Sequence, residues 1–378
     1  MTSHSILPLC LIVALLTLSS CSNNEVPKPA KEEYTTIESW RFVAFGDSRG
    51  GGNGSGVNTE ILSKLVIAVL EENPEFVVFP GDLIYGHADR KSLGDEGALQ
   101  RMQSELETWR ATMEPLYASG ISVYPVRGNH ETTQRNPDHS GQQDHRPVWP
   151  RTKETWDAVF SGPYALPQNG PDDEKNVSFA VSHKNALILG LDLYTQATPG
   201  TKINPDSTIP YGQLHQVHQP WLDKQLAAND LPHVFSFAHE PAFKVDHQDC
   251  MHGDMSFGID LSKERDLFWN SMKNAGARVF FGGHDHGFAH ARIDDGDGNI
   301  DNDIHQIIVG TGGAGKNVHA VYDGYNGAFT PTAVSEQGIY GFVVVDINGS
   351  DVKLTLHKLV DEATATFEQE VILEYSVE

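Results

Sequence analysis

The chain has 378 residues, with 27 Lys+Arg against 51 Asp+Glu and a net charge of −24. That balance shows no clustered cation for a phosphate backbone and argues against a nucleic-acid partner, while a hydrophobic content of 39% excludes wholesale disorder. Three cysteines, Cys10, Cys21 and Cys250, cannot make a disulfide scaffold, and no apolar run reaches the roughly 18 residues of a spanning helix.

Residues 1–20 contain no Lys, Arg, Asp or Glu, and 6–18 are apolar apart from Pro8 and Thr17. At the N-terminus that length suits the core of an export signal better than a buried helix. Leu18-Ser19-Ser20-Cys21 resembles a bacterial lipoprotein signal, cleaved before a cysteine that then carries lipid. An ordinary export signal with a coincidental cysteine is the alternative. On the lipoprotein reading, 1–20 is removed and Cys21 is lipidated. Ser22, rather than Asp, then sends the exported protein to the outer membrane or cell surface, and Cys250 is the one free thiol. Residues 21–37 are polar, with two prolines, and read as a flexible tether. Residues 38–378 read as the single folded domain.

Apolar runs then alternate with helical spacing. Strands are predicted over Arg41–Phe45, Phe76–Phe79, Ile121–Val126, Ala186–Leu191, Val234–Phe237, Val279–Phe281 and Ile307–Val309. Ile61, Leu62, Leu65, Val66 and Val69 predict a helix over Thr59–Glu72, and Leu99–Tyr117 and Gln219–Ala228 also look helical. The alternation implies α/β layering. The stretch 131–178 is polar and Pro-rich, with a small helix near Trp156, and reads as an inserted loop region beside the site. Ile339–Asp346 and Val352–Leu359 predict a hairpin around Asn348-Gly349.

Polar clusters recur after these strands: Gly46-Asp47-Ser48-Arg49, Gly81-Asp82-Leu83-Ile84-Tyr85, Gly128-Asn129-His130-Glu131, Ala238-His239-Glu240-Pro241 and Gly282-Gly283-His284-Asp285-His286. In α/β folds ligands bind outside the carboxyl ends of strands, so five clusters on one edge converge on one cleft. Each alone is an ordinary turn or cap. His284 and His286 say more, since alternate residues on a strand point to one side. Together, two Asp, one Asn, three His and one Tyr suit Fe, Zn or Mn. Seven donors exceed one four-coordinate zinc and fit two ions about 3.5–4 Å apart with a bridging carboxylate.

The motif order GD, GD, GNH[DE], H, GHxH between residues 46 and 286 resembles the calcineurin-like metallophosphoesterase superfamily. The helix at Trp221-Leu222 and the strand Gly341–Asp346 are similar to that family as well. The resemblance spans about 40 to 360 and implies a four-layer α/β/β/α sandwich. The first motif departs from the family's Asp-x-His: Arg49 stands at the histidine position and, staying protonated, cannot be a ligand. GDLIY resembles the GDxxY of the purple acid phosphatase branch, where the Tyr is a ligand. The resemblance implies one ion held by Asp47, Asp82, Tyr85 and His286, and a second by Asp82, Asn129, His239 and His284, with Asp82 bridging. A free tyrosine titrates near 10, so a phenolate ligand favours Fe(III), paired with Zn, Mn or Fe. The plant-type N-terminal β-domain is not expected here, since the first motif begins only 25 residues after Cys21. The implied chemistry is attack on phosphorus by a hydroxide formed from metal-bound water, with His130 protonating the leaving group or binding phosphate. Arg49 is read either as a binder of a phosphate oxygen or as a surface arginine.

Two motifs are set aside. Gly310–Gly315 matches neither GxxxxGK[ST] nor GxGxxG and reads as a tight turn near the cleft. Asp295–Asp301 begins like a calcium loop, but Ile300 stands where Gly is required and position twelve is not Glu, so it reads as a polar hairpin tip. The expectation is a lipid-anchored, binuclear phosphoesterase acting on a small phosphomonoester, touching membrane only through its anchor. A phosphodiesterase with the same centre is the enzyme alternative. A non-catalytic surface binding protein on this scaffold is the alternative of another class, opposed by the complete donor set.

Overall fold

The computed structural model describes residues 1, 39–51, 54–133, 148–195, 216–247, 249–251, 253–254, 260–317 and 327–377. The export signal, Cys21 and the tether lie outside them, as does 134–147 of the predicted insertion. In chain order the elements are β1 (Trp40–Ala44), α1 (Thr59–Glu72), β2 (Phe76–Pro80), α2 (Arg90–Ala118), β3 (Ser122–Val126), α3 (Asn129–Thr132), α4 (Thr152–Val159), β4 (Phe179–His183), β5 (Ala186–Leu191), α5 (Gln219–Ala227), β6 (His233–Ala238), β7 (Asp249–Cys250), β8 (Gly253–Asp254), α6 (Ser262–Asn274), β9 (Val279–Asp294), β10 (Ile304–Gly310), β11 (Thr330–Gln337), β12 (Gly341–Asn348), β13 (Asp351–Asp361) and β14 (Thr366–Ser376).

Two six-stranded sheets form. One runs β14-β13-β12-β1-β2-β3; the other runs β10-β9-β6-β5-β4, with β11 on β9. β2, β5 and β6 are buried along their whole length, the mark of strands covered on both faces. Phe42 of the first sheet meets Phe235 and Phe281 of the second at ring distances of 5.1 and 6.1 Å. On the outer faces, Trp109 of α2 packs on Phe79 of the first sheet, and Phe268 and Trp269 of α6 pack on Phe280 of the second. The result is the predicted α/β/β/α layering.

Three elements differ from expectation, each for a local reason. Helix α2 starts at Arg90 rather than Leu99, because Asp89 caps it by accepting from Ser92 N at 3.1 Å. Gly94, at φ 68°, kinks it before the apolar stripe begins. β9 is far longer than Val279–Phe281: it bends through the Gly-Gly-His-Asp-His segment, and β10 pairs with both arms, Ile307 facing Phe281 in one and His290 in the other. The hairpin turns at Gly349-Ser350, since Asn348 pairs with Asp351 and Gly349 takes the positive φ of 62°. β4, β7, β8, β11, β14, α3 and α6 carry no expectation from the sequence; β11 and β14 keep many side chains exposed and lack a clean apolar face. Of the predicted insertion, 152–159 is the expected helix, with Trp156 Nε1 donating to Asn176 O at 2.8 Å. Cys250 is buried and free.

Candidate metal centre

The loops after β1, β2, β3 and β6 and the bend in β9 meet at one end of the sheets. Backbone bonds lock them together. Asp47 N donates to Gly81 O at 3.0 Å, Ser48 N to Asp82 O at 2.9 Å, and Gly46 N to Val309 O at 2.8 Å. The Gly310–Gly315 turn serves this scaffold: Gly312 N and Ala314 N donate to Gly46 O and Asp47 O at 2.6 and 2.8 Å. Asp47, Asp82 and His284 take φ values of 60°, 51° and 70°, a conformation that costs non-glycine residues about 1–3 kcal/mol each and clusters at functional sites. The contacts are too close for larger neighbours. A Cβ on Gly81 would come within 2.6 Å of His239 Nδ1, and one on Gly128 within 2.2 Å of Asp82 Oδ1.

Glu131 fixes the backbone under the site. Its buried carboxylate accepts from Asp82 N at 3.0 Å, Ile84 N at 3.1 Å and Gly128 N at 2.7 Å. Burial, then the charge of Asp82, pushes this carboxyl up, and the three N–H groups oppose the shift.

Six of the seven candidate donors, all but Tyr85, gather here. His239 Nδ1 lies 2.9 Å from Pro80 O, which places its proton there and turns the Nε2 lone pair inward. Around that atom stand Asn129 Oδ1 at 3.1 Å, Asp82 Oδ1 at 3.2 Å and His284 Nδ1 at 3.2 Å. These four atoms bring their lone pairs to one point, an arrangement that a cation would satisfy. Beside it, Asp47 Oδ1 accepts from His284 N at 2.9 Å and lies 3.9 Å from His286 Nε2. Asp47 Oδ2 is buried with no hydrogen-bond partner. Ligand atoms of Asp47, Asp82 and His239 all lie within 4.8 Å of one another. Burial, then Asp82, raises Asp47 well above the ordinary carboxylate range. Burial also lowers His239, and burial followed by Arg49 takes His286 down to about 2. Neutral imidazoles and crowded carboxylates are what transition ions bind, so the residues fit a metal centre.

The remaining predicted residues lie around its rim. Arg49 Nε is buried without a hydrogen-bond partner, 3.7 Å from Asp82 Oδ2. His130 Nε2 is also 3.7 Å from that oxygen. Both its ring nitrogens are engaged, Nδ1 with Tyr85 O and Nε2 with His87 Nε2 at 2.9 Å. The half-buried Tyr85 ring lies under the Arg101 guanidinium, 5.5 Å from its centroid, and edge-on to His130 at 6.0 Å. Among the described residues no hydrogen bond joins its hydroxyl to Asp47, Asp82 or His286.

Two histidines escaped the sequence reading. His87 links Thr133 Oγ1, at 2.7 Å from its Nδ1, to His130. His247 lies over the centre, its ring 4.4 Å from that of His284. Asp285 orients it, accepting from His247 Nδ1 at 2.6 Å and His247 N at 3.0 Å. Burial disfavours the Asp285 charge, but the hydrogen bonds and charge of His247, together with His284, outweigh it and hold the carboxyl below its ordinary range. Asp285 inside the Gly-His-Asp-His motif was the available signal; His247 sits in an irregular segment that no periodicity marks. The acidic 294–303 turn is tied by its own backbone bonds and by Lys273, as a polar hairpin tip requires.

The sequence matches the family model for calcineurin-like phosphoesterases over residues 41–288. The fold is similar to that of purple acid phosphatase PPD1 from seeds of yellow lupin, Lupinus luteus, with a TM-score of 0.56 and 15% identity, covering 90% of this chain and 54% of that one. It is also similar to PhoD, with a TM-score of 0.54 and 10% identity, covering 89% and 69%. The chain thus spans about half the length of the lupin protein, and identities this low speak for the fold alone. No curated protein gives a significant match. With the family model covering more than half of the chain and its motifs gathered at one centre, the protein belongs to the calcineurin-like phosphoesterase family.

Proposed function

We propose that the protein hydrolyses phosphomonoesters at a two-metal centre. One observation carries the reading: lone-pair atoms of Asp82, Asn129, His239 and His284 meet at one point, next to an orphaned buried oxygen of Asp47. His239, His284, Asn129 and Asp82 would hold one ion; Asp47, Asp82 and His286, with Tyr85, would hold the other. When bound, the ions would acidify a water and offset charge on the phosphoryl oxygens. Asn129, a neutral donor, limits the negative charge facing a phosphate. Arg49 and His130 both lie 3.7 Å from Asp82 Oδ2; Arg49 would add positive potential and His130 an imidazole where phosphoryl oxygens would lie. His247, with Nδ1 held by Asp285, keeps Nε2 for proton delivery to the leaving oxygen. A fixed guanidinium flanked by two imidazoles favours a monoester dianion over a diester monoanion.

Metal-loaded protein assayed on p-nitrophenyl phosphate and bis(p-nitrophenyl) phosphate tests this. A higher kcat/KM on the monoester is expected. Preference for the bis ester would make the protein a phosphodiesterase, and inertness towards both with ions bound would favour a binding protein. GDLIY and the lupin-like fold support the purple branch. Iron-loaded protein should then show a phenolate-to-iron band that Tyr85→Phe removes; a wild type without the band would leave Tyr85 to its Arg101 contact. For the export segment we propose lipidation at Cys21 and anchoring in a bacterial envelope, supported by Leu18–Cys21 alone. Cys21→Ser should release the protein from membranes, and a lipid-free Cys21 in wild type would refute the anchor.

A further inference from the structure

The segment 241–247, which leads from His239 to His247, is neither helix nor strand, yet the bent β9–β10 pair holds it at every second residue. Phe243 comes first. Its backbone N–H donates to Gln306 Oε1 at 2.9 Å, and its carbonyl accepts from Gln306 Nε2 at 2.7 Å. Gln306 is fully buried in β10, so its amide supplies the partners that two buried backbone groups require. Val245 follows, buried with Ala289 of β9 and Ile308 of β10, which pair across the two strands. Gln306 and Ile308, two residues apart on one strand, share a face. His247 is third, its N–H and Nδ1 both on Asp285 Oδ1. Met251 N closes the loop by donating to Pro241 O at 3.0 Å. The Phe243 ring packs edge-on to Trp269 at 5.0 Å and beneath the Arg265 guanidinium at 4.4 Å.

We infer that Gln306 is a positioning residue for hydrolysis: by fixing both backbone groups of Phe243, it sets where His247 stands over the metal centre. The inference rests on the reading of His247 as proton donor to the leaving oxygen. The His247 ring lies 4.4 Å from that of His284 and 6.4 Å from that of His286. Asp285 grips the backbone of Asp246 and His247 and the His247 ring, which sets the tautomer and the tilt of the imidazole. The contacts of Val245 are apolar and carry no direction. Directed bonds upstream come from Gln306, four residues before His247. Without that amide, Phe243 N–H and C=O would be buried and unsatisfied, and the segment would shift to find partners. A displacement of about 1 Å caused far from the chemistry costs about 100-fold in rate. Here the loss falls on a leaving oxygen that must be protonated, and little on one that departs as a stable anion.

The test compares kcat/KM of the metal-loaded full chain on an alkyl phosphate and on p-nitrophenyl phosphate. Gln306→Met keeps the side-chain length and removes the amide. Its loss should be at least about tenfold greater on the alkyl ester, with metal content by elemental analysis unchanged. His247→Ala should show the same selectivity, and adding Gln306→Met to it should bring no further selective loss, because the two changes act through one group. Equal losses on both esters, a lost ion, or a further selective loss in the His247→Ala background would overturn the inference and leave the proton-donor reading intact. If His247→Ala itself loses both esters equally, that reading fails and the inference falls with it. Should Gln306→Met not fold, Gln306→Asn, one carbon shorter and unable to span both groups of Phe243, carries the same comparison.

Discussion

Glu131→Gln probes the platform under the metal centre without touching a ligand. Oε2 of Glu131 accepts two N–H groups, from Asp82 and Gly128, and Oε1 accepts one, from Ile84. The amide would keep its oxygen on the pair and turn its NH2 towards Ile84 N–H, so two donors would face each other where 3.1 Å now separates donor and acceptor. A buried donor left unsatisfied costs about 1–3 kcal/mol. With partial relaxation the pair should cost about 2–4 kcal/mol, on the scale of a broken buried network. Because Glu131 bonds the backbone of Asp82 and the residue before Asn129, both ion affinities should fall about 10–100-fold, as for other partners outside the ligand set. Urea denaturation of chelator-stripped protein isolates the folding cost from metal linkage, and metal titration reads the second effect. A variant within about 0.5 kcal/mol of wild type, with unchanged metal affinity, would refute the role given to this carboxylate.

Asp82→Asn should lose both ions together, since its two oxygens face the two sites; elemental analysis showing one ion retained at full occupancy would contradict the bridge. Asp285→Asn should slow hydrolysis of an alkyl phosphate at least about tenfold more than that of p-nitrophenyl phosphate, whose leaving group needs little protonation. Equal losses would exclude His247 as the acid. Burial, then Asp192, raises Glu174 from its ordinary 4.5 to about 8. The native state keeps that proton while the unfolded chain sheds it, so stability should fall as pH rises from about 4.5 to about 8 and level off above. Glu174→Gln should remove this slope and be more stable than wild type by about 2–4 kcal/mol above pH 8, and parallel pH profiles would count against it.

The sheet cores and the donor set were legible in the sequence because each rests on a short-range signal. Val77, Val78 and Phe79 announce a strand by composition, and Asp82 follows it at a loop whose end the topology brings to the centre. Strand alternation makes His284 and His286 same-side neighbours. They reach the site differently, through a bend with His284 at φ 70°, and their nitrogens face His239 and Asp47 respectively. What stayed hidden depends on long-range encounters. His247 is identified only by its contact with Asp285, 38 residues away, and His87 only by its approach to His130 across 43 residues. Arg49 was visible as a missing donor, but its place beside Asp82 Oδ2 could come only from three dimensions.

The measurement that bears most directly on the account is metal content against turnover in one preparation. Elemental analysis of protein loaded in excess Fe, Zn or Mn should give two ions per chain. Stripping them with a chelator should abolish hydrolysis of p-nitrophenyl phosphate, and adding them back should restore it. Full activity in metal-free protein, or loaded protein that binds no ions, would contradict the account.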